Sequence, residues 1–213
     1  MTGSDVSRET RRQLRHWGKH AESYDTQIAK LERSMLVGTR EWIGERATGR
    51  VLEVAVGGGR SLPYYRKGVS LIGVDLSPAM LALARRRASE LGMDVDLREG
   101  NAEALPFPDA SFDTVVCALA LCSIPRPDVA LTEMARVVVP GGSVVIVDHV
   151  RSSSPLIFAG QWLAERFTIP LEGEHLTRRH RDEVEAAGLV IVEEERLRSG
   201  AVERIRATRP VTS

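Results

Sequence analysis

An α/β fold built on a mostly parallel sheet is predicted by three features of this 213-residue chain. Short apolar runs bounded by glycine or aspartate alternate with longer stretches whose apolar residues recur three and four apart. Val51-Leu52-Glu53-Val54-Ala55-Val56 passes into Gly57-Gly58-Gly59 and then Ser61-Leu62-Pro63, the punctuation of a buried strand feeding a tight turn and a helix. A second run, Leu71-Ile72-Gly73-Val74, ends in Asp75, where a parallel neighbour delivers a carboxylate to the same sheet edge, within reach of a ribose diol. Two carboxylates and a bare backbone turn describe a nucleoside site.

Taken in order, the chain opens with a polar stretch to about Ser7 and a helix over Arg8–Ser23, with Leu14, Trp17 and Ala21 at helical spacing. A second helix is expected over Thr26–Arg46, where Ile28, Leu31, Met35, Leu36, Thr39, Trp42 and Ile43 form one apolar face. This pair can act as a lid. After Asp75, Ser77 is a helix N-cap and Pro78 the first helical residue, and the helix runs to Leu91 before Gly92 stops it. Arg85, Arg86 and Arg87 read as a solvated stretch. Met93–Leu97 alternates as a third strand and leads to Gly100-Asn101-Ala102-Glu103 at the same edge. Thr114–Leu121 reads as a buried fourth strand, Pro127–Val138 as a helix, Pro140-Gly141-Gly142 as a turn and Ser143–Asp148 as the fifth strand. An apolar helical segment, Pro155–Thr168, is expected as an insertion that roofs a substrate pocket, and it precedes a helix beginning near Thr177. Val190–Val192 and Ala201–Thr208 are the last strands, the latter carrying charge on both faces, as a strand near a sheet edge does.

A composition of 43% hydrophobic and 27% charged residues suits one well-buried core. We expect a single domain over residues 1–213: a helical segment at 1–48, a ligand-binding core at 49–150, an insertion and helix at 151–188, and terminal strands at 189–213. Lys plus Arg equals Asp plus Glu, at 29 each, so no global basic field favours nucleic acid as a partner. Cys117 and Cys122 lack the paired spacing of a zinc site or disulfide framework, so they read as small core residues and no metal is expected. No apolar run reaches the roughly 20 residues that span a bilayer, and the N-terminus is polar. The expected location is cytoplasmic, as a monomer or homodimer.

The choice of nucleoside follows from the turn. The dinucleotide fingerprint needs a third glycine where Leu62 stands, and Glu53 would repel a pyrophosphate. A carboxylate there suits a ligand with a cationic end, such as S-adenosylmethionine. Glu53-Val54-Ala55-Val56-Gly57-Gly58-Gly59 resembles the first motif of the Rossmann-like, class I S-adenosylmethionine-dependent methyltransferases, an acid followed by G-x-G-x-G, with Ala55 at the first glycine. Gly100-Asn101-Ala102-Glu103 resembles their G-D/N-A-E motif, which implies that the Asn101 side-chain carbonyl meets the adenine amino group and the Ala102 N–H a ring nitrogen. Leu105–Asp113 matches their L-P-F-x-D-x-S-F-D run, read here as turn and anchor, and Glu133–Gly142 their E-M-x-R-V-x-x-P-G-G phrase. Trp17-x-x-x-Ala21-x-x-Tyr24-Asp25 resembles the N-terminal segment of small-molecule methyltransferases, in which the tyrosine closes over cofactor and substrate.

The resemblance implies a Rossmann-like three-layer sandwich with a seven-stranded, mostly parallel sheet, an antiparallel last strand and an N-terminal helical lid. It implies S-adenosyl-L-methionine as cofactor and S-adenosyl-L-homocysteine as product. The implied cofactor contacts are Tyr24, Glu53, Ala55, Gly57, Gly59, Asp75, Leu76, Asn101, Ala102, Glu103 and Ala118. Two likenesses divide on the acceptor. Val51–Tyr65 resembles the bacterial phospholipid N-methyltransferases, whereas Val115–Ser123, His149-Val150 and Leu176-Thr177-Arg178 resemble the methyltransferase-like-7 thiol S-methyltransferases. The expected acceptor is a small, apolar molecule methylated on oxygen, nitrogen or sulfur, with contact to a membrane surface if it is a lipid. Rival readings are a nicotinamide-dependent oxidoreductase and a non-catalytic nucleoside-binding module. Where the acceptor must lose a proton, His149 beside Asp148 is the candidate base and His175 the second.

Overall fold

The computed structural model describes Leu14, residues 36–211 and all their side chains except that of Glu172. The expected helix over Arg8–Ser23, Trp17 and Tyr24 lie outside the described residues, Leu14 apart.

The elements are α1 (Thr39–Arg46), β1 (Arg50–Val54), β2 (Ser70–Asp75), α2 (Pro78–Glu90), β3 (Asp96–Glu99), β4 (Phe112–Ala118), α3 (Pro127–Val137), β5 (Val138–His149), α4 (Pro155–Glu172), α5 (Arg181–Ala186), β6 (Val190–Leu197) and β7 (Val202–Thr208). They build one seven-stranded sheet in the order β3-β2-β1-β4-β5-β7-β6. Neighbours from β3 to β5 pair in parallel, and β7 runs antiparallel to both β5 and β6. The expected sheet is therefore the observed one. Burial of Leu52, Val54, Val115, Cys117 and Val144 on one face, and of Val51, Val116 and Val145 on the other, explains why these strands read as unbroken apolar runs.

Several boundaries differ from the sequence expectations, each for a local reason. Of the helix expected over Thr26–Arg46, residues 26–35 lie outside the described residues; within the rest, α1 begins at Thr39, after Gly38 at a left-handed φ of 75. Leu36, Thr39, Trp42 and Ile43 are nonetheless buried as their spacing required. Arg46 then clasps Glu193 of β6 at 2.5 and 2.9 Å, and Trp42 Nε1 donates to the same carboxylate at 3.3 Å. Those donors hold Glu193 down at about 2. After the glycines only a 3-10 turn forms, over Leu62–Tyr64, and Tyr65 is already extended.

β3 begins at Asp96 rather than Met93, in register with Ile72 of β2, and only Leu97 of this edge strand is buried. β4 stops at Ala118, before Leu119 turns left-handed at φ 56. β5 takes in the glycine turn: its pairing with β4 jumps from Val138 to Ser143 while β4 advances only from Phe112 to Thr114. α4 extends to Glu172, the helix expected near Thr177 starts at Arg181, and β6 runs on to Leu197. β7 lies one place in from the edge, with β6 outside it, so its charges are partly enclosed: Glu203 and Arg204 are buried.

Arg85–Arg87 is not simply solvated. Arg85 donates to the Leu97 carbonyl at 2.9 Å and Arg87 to that of Gly58, fastening α2 to β3 and to the glycine turn. The Leu105–Asp113 run is turn and anchor, as expected. Phe107 packs edge-on against Phe112 at 5.0 Å, and Arg136 reaches the Leu105 and Phe107 carbonyls, Asp109 and Glu133.

Candidate cofactor and acceptor site

The strand order reverses between β1 and β4, so the connections leaving their C-terminal ends part and leave a crevice, the usual ligand position in open parallel sheets. Val56 N donates to Val74 O at 2.9 Å, which holds the turn after β1 against β2. The Asp75 carboxylate then accepts from Gly57 N and from Ser77 N, each at 2.8 Å, joining the glycine turn to the start of α2. A cavity opens beside this carboxylate, lined by Arg40, Glu53, Ala55, Gly57, Asp75 and Ala118 among others. A second includes Leu14, Leu76, Ser77, Asn101, Ala102 and Ile124. Ala55, Asp75 and Ser123 border both, so Asp75 stands between two halves of one elongated cleft.

Two residues on the cleft wall carry backbone strain. Ala55 and Leu119 adopt φ 54 and φ 56, a region that disfavours a side chain by about 1–2 kcal/mol. Both line the first cavity. Ala55 stands where the resemblance has glycine, so Ala55→Gly should relieve the strain. We expect a gain of about 1 kcal/mol, or about 2–4 °C in Tm, with a wider crevice. Calorimetric melting checks this; an unchanged or lowered Tm would mean that the backbone at Ala55 is not strained.

The glycines divide their work. A Cβ on Gly57 would project into open space at the cleft, whereas one on Gly59 would strike Leu62 at 2.8 Å and the Ala84 backbone of α2 at 3.2 Å. Gly59 therefore serves helix packing and lines neither cavity.

Glu53 is 2% exposed, and its Oε2 accepts from Tyr65 Oη at 3.0 Å. Burial pushes its carboxyl pKa up, against the opposing influence of Ser61, Arg40 and Tyr65. Burial together with the Glu53 carboxylate also pushes the Tyr65 phenol well above its usual range. Asp75 is likewise raised by burial, restrained by the backbone N–H groups of Ser77, Gly57 and Leu76. A ligand cation near Glu53 would offset what burial takes away.

Of the other sequence-predicted residues, Leu76, Asn101, Ala102 and Ala118 line the cleft. The Asn101 side-chain carbonyl accepts from Glu103 N at 3.0 Å, which orients it and leaves its second lone pair. Glu103 lines neither cavity, and its carboxylate accepts from Arg126 through the backbone N–H at 3.0 Å and the guanidinium at 2.9 Å. His149 and His175 line neither cavity. His149 instead meets Cys122 and Glu174, with ligand-type atoms all within 4.8 Å of one another. Sequence reasoning assigned no role to Arg40, Ser61 or Tyr65. Arg40 donates to Ser61 Oγ at 2.6 Å beneath Glu53, and only the recurrence of Ser61 and Tyr65 in the first motif's extension pointed their way. Buried His180, between Asp148 at 3.6 Å and Glu183 at 3.1 Å, was also passed over; burial opposes its protonation, but the surrounding carboxylates prevail and raise its pKa.

The residues present suit S-adenosylmethionine, since the turn leaves open space above Gly57 and two carboxylates, buried Glu53 and half-buried Asp75, stand along the cleft. Residues 52–146 match the family described as "Methyltransferase domain". The chain is 42% identical over 144 residues to a phosphatidylethanolamine N-methyltransferase of Cereibacter sphaeroides, covering 66% of this chain and 70% of that one. It is 39% identical over 107 residues to a demethylmenaquinone methyltransferase of Thermus thermophilus, spanning about half the length of each (49%). Among solved structures, a SAM-dependent methyltransferase from Thermotoga maritima superposes with a TM-score of 0.72 at 22% identity, over 92% of this chain and 99% of that one. With the sheet order, the family match and the phosphatidylethanolamine N-methyltransferase relative in agreement, this chain belongs to the class I S-adenosylmethionine-dependent methyltransferases.

Proposed function

We propose that the protein methylates oxygen, nitrogen or sulfur of a small, apolar-bodied molecule that it takes from a membrane surface. The observation that carries this reading is the orientation of α4, in which Gln161, Glu165 and Thr168 face the protein and the large apolar residues face out. Gln161 Nε2 donates to the Val150 and Leu176 carbonyls at 2.9 and 3.2 Å, Thr168 Oγ1 to Glu174 O at 2.9 Å, and Glu165 accepts from Thr177 N at 2.8 Å. The opposite face presents Leu156 (83% exposed), Trp162, Leu163, Phe167 (65%) and Leu171. Arg166 stacks over Trp162 at 4.6 Å and Arg151 over Phe158 at 4.1 Å, placing guanidinium groups beside the aromatic rings. An outward apolar stripe with tryptophan and arginine suits the headgroup boundary of a bilayer. Among the described residues no helix is long and apolar enough to cross a membrane, so contact would be with the surface. The phosphatidylethanolamine N-methyltransferase relative supports the same substrate class.

In this reading Glu53 takes the cofactor's ammonium group, Asp75 its ribose hydroxyls, and Asn101 with Ala102 the adenine edge. When bound, the cofactor supplies a methyl group on a cationic sulfur that is already strongly electrophilic. The protein's part is to hold the acceptor atom in line at near-attack distance and keep water out, which Ala118, Leu119 and Ala120 do as an apolar wall. That His149 and His175 line neither cavity supports transfer by alignment.

The test is turnover to S-adenosylhomocysteine against amphiphilic amines, phenols and thiols, each offered in anionic vesicles and as monomer in solution. The Trp162→Glu, Leu163→Glu, Phe167→Glu triple variant should lose roughly tenfold or more on the vesicle-borne acceptor and keep its rate on the monomeric one. Equal rates on both presentations for the triple variant and the parent would contradict the surface reading.

A further inference from the structure

We propose that Cys122, His149 and Glu174 form a binding site for one zinc-type divalent cation on the acceptor side of the cleft. The three come from separate segments: the loop after β4, the end of β5 and the turn after α4. No paired ligand spacing in the sequence announces them. Their ligand-type atoms lie within 4.8 Å of one another, and Cys122 is 2% exposed. The bond lengths of tetrahedral zinc would put such ligands roughly 3.3–3.7 Å apart, so binding needs a contraction of at most about 1.5 Å, within reach of small side-chain rotations.

His149 Nδ1 is buried with no partner, and a weak S–H contact from Cys122 to Glu174 at 3.9 Å is the link between thiol and carboxylate. An imidazole with one buried orphan nitrogen, its ring standing beside a thiol and a carboxylate, is what a site prepared for a cation looks like without it.

The backbone beneath all three ligands is pinned. Asp148, 1% exposed, accepts from Cys122 N through Oδ2 and from His149 N through Oδ1, both at 2.7 Å, so two ligands hang from one carboxylate. His175 N donates to Cys122 O at 2.9 Å, and Thr168 Oγ1 to Glu174 O at 2.9 Å. Arg178 gathers the Leu121 and Ile124 carbonyls at 3.0 and 2.6 Å, closing the loop that carries Cys122. Such supporting contacts orient metal ligands.

One thiolate, one imidazole and one carboxylate suit zinc or cobalt and disfavour magnesium and calcium, which take oxygen ligands. Three protein ligands leave a tetrahedral position open. Ala120 and Ser123 flank Cys122 and line the first cavity, so the site adjoins the region where an acceptor would lie. On binding, the Cys122 S–H bond breaks as the sulfur–metal bond forms, and the proton passes to solvent.

Chelator-treated full-length protein titrated with Co²⁺ tests this. We expect one equivalent to give a thiolate-to-cobalt charge-transfer band and tetrahedral d–d bands, displaced by Zn²⁺. Cys122→Ser should abolish the charge-transfer band, Cys117→Ala should keep it, and His149→Ala and Glu174→Gln should each weaken binding by roughly 10–100-fold. Circular dichroism and S-adenosylhomocysteine binding establish that each variant is folded. Should Cys122→Ser not fold, release of one proton per metal by the parent, with weakened binding in Glu174→Gln, decides the matter. Absence of a thiolate band in the folded parent, or its loss in Cys117→Ala but not in Cys122→Ser, would overturn the assignment.

Discussion

Asp75→Ala should lower affinity for S-adenosylmethionine by a hundredfold or more, the largest effect expected of any single change. The carboxylate has two tasks in the proposed complex: it accepts the ribose hydroxyls, and it already holds Gly57 N and Ser77 N at 2.8 Å, keeping the glycine turn open. Each charge-assisted hydrogen bond lost costs about 1.5–3 kcal/mol, roughly ten- to hundredfold, and collapse of the turn adds to that. Asp75→Asn keeps one acceptor oxygen and should lie between the two. Isothermal titration measures both, and a folded Asp75→Ala variant with an unchanged dissociation constant would remove Asp75 from the cofactor site.

Glu53→Gln should move affinity and stability in opposite directions. A neutral amide loses the partner for the ligand ammonium, weakening S-adenosylmethionine binding roughly ten- to hundredfold. Yet burial holds the Glu53 pKa up, so its ionised form is a burden on the ligand-free fold, and the amide can still accept from Tyr65. The sign follows from linkage. A carboxyl whose folded pKa exceeds its unfolded value contributes stability that is complete below the unfolded pKa and is lost as pH rises through the folded one. At neutral pH and above, the ligand-free Glu53→Gln variant should therefore melt a few degrees higher than the parent, and the difference should shrink on acidification. A variant that melts lower at every pH, or binds the cofactor as tightly, would contradict this account of Glu53.

Much of this was legible in the sequence because the relevant physics is local. Unbroken apolar runs ending in Gly57 and Asp75 could only be buried parallel strands, and their shared edge brought Glu53, Ala55, Gly57 and Asp75 to one cavity. The errors arose where a contact distant in sequence decides. Gly59 was read as making room for ligand, but its neighbour is Ala84 of α2. Glu103 was read as a cofactor contact, but Arg126 takes its carboxylate. The helix expected at Ser61 is a 3-10 turn, because the chain is extended again at Tyr65, whose hydroxyl is anchored on Glu53. The outward apolar face of α4 was not legible at all: periodicity reveals that a stripe exists, not which way it faces, and Gln161, Glu165 and Thr168 decide that through bonds to segments beyond the helix ends. The meeting of Cys122, His149 and Glu174 depends likewise on three loops that only the sheet brings together.

The central claim is that one cleft, at the reversal point between β1 and β4, holds the cofactor with Glu53 and Asp75 at two points along it. A crystal structure of the protein with S-adenosylhomocysteine tests it most directly. The account predicts both ribose hydroxyls within hydrogen-bond distance of the Asp75 carboxylate, the ammonium on the Glu53 side of the glycine turn, and the adenine between Leu76 and Ala102. A nucleoside bound elsewhere, or one lying in the cleft with its ribose away from Asp75, would contradict it.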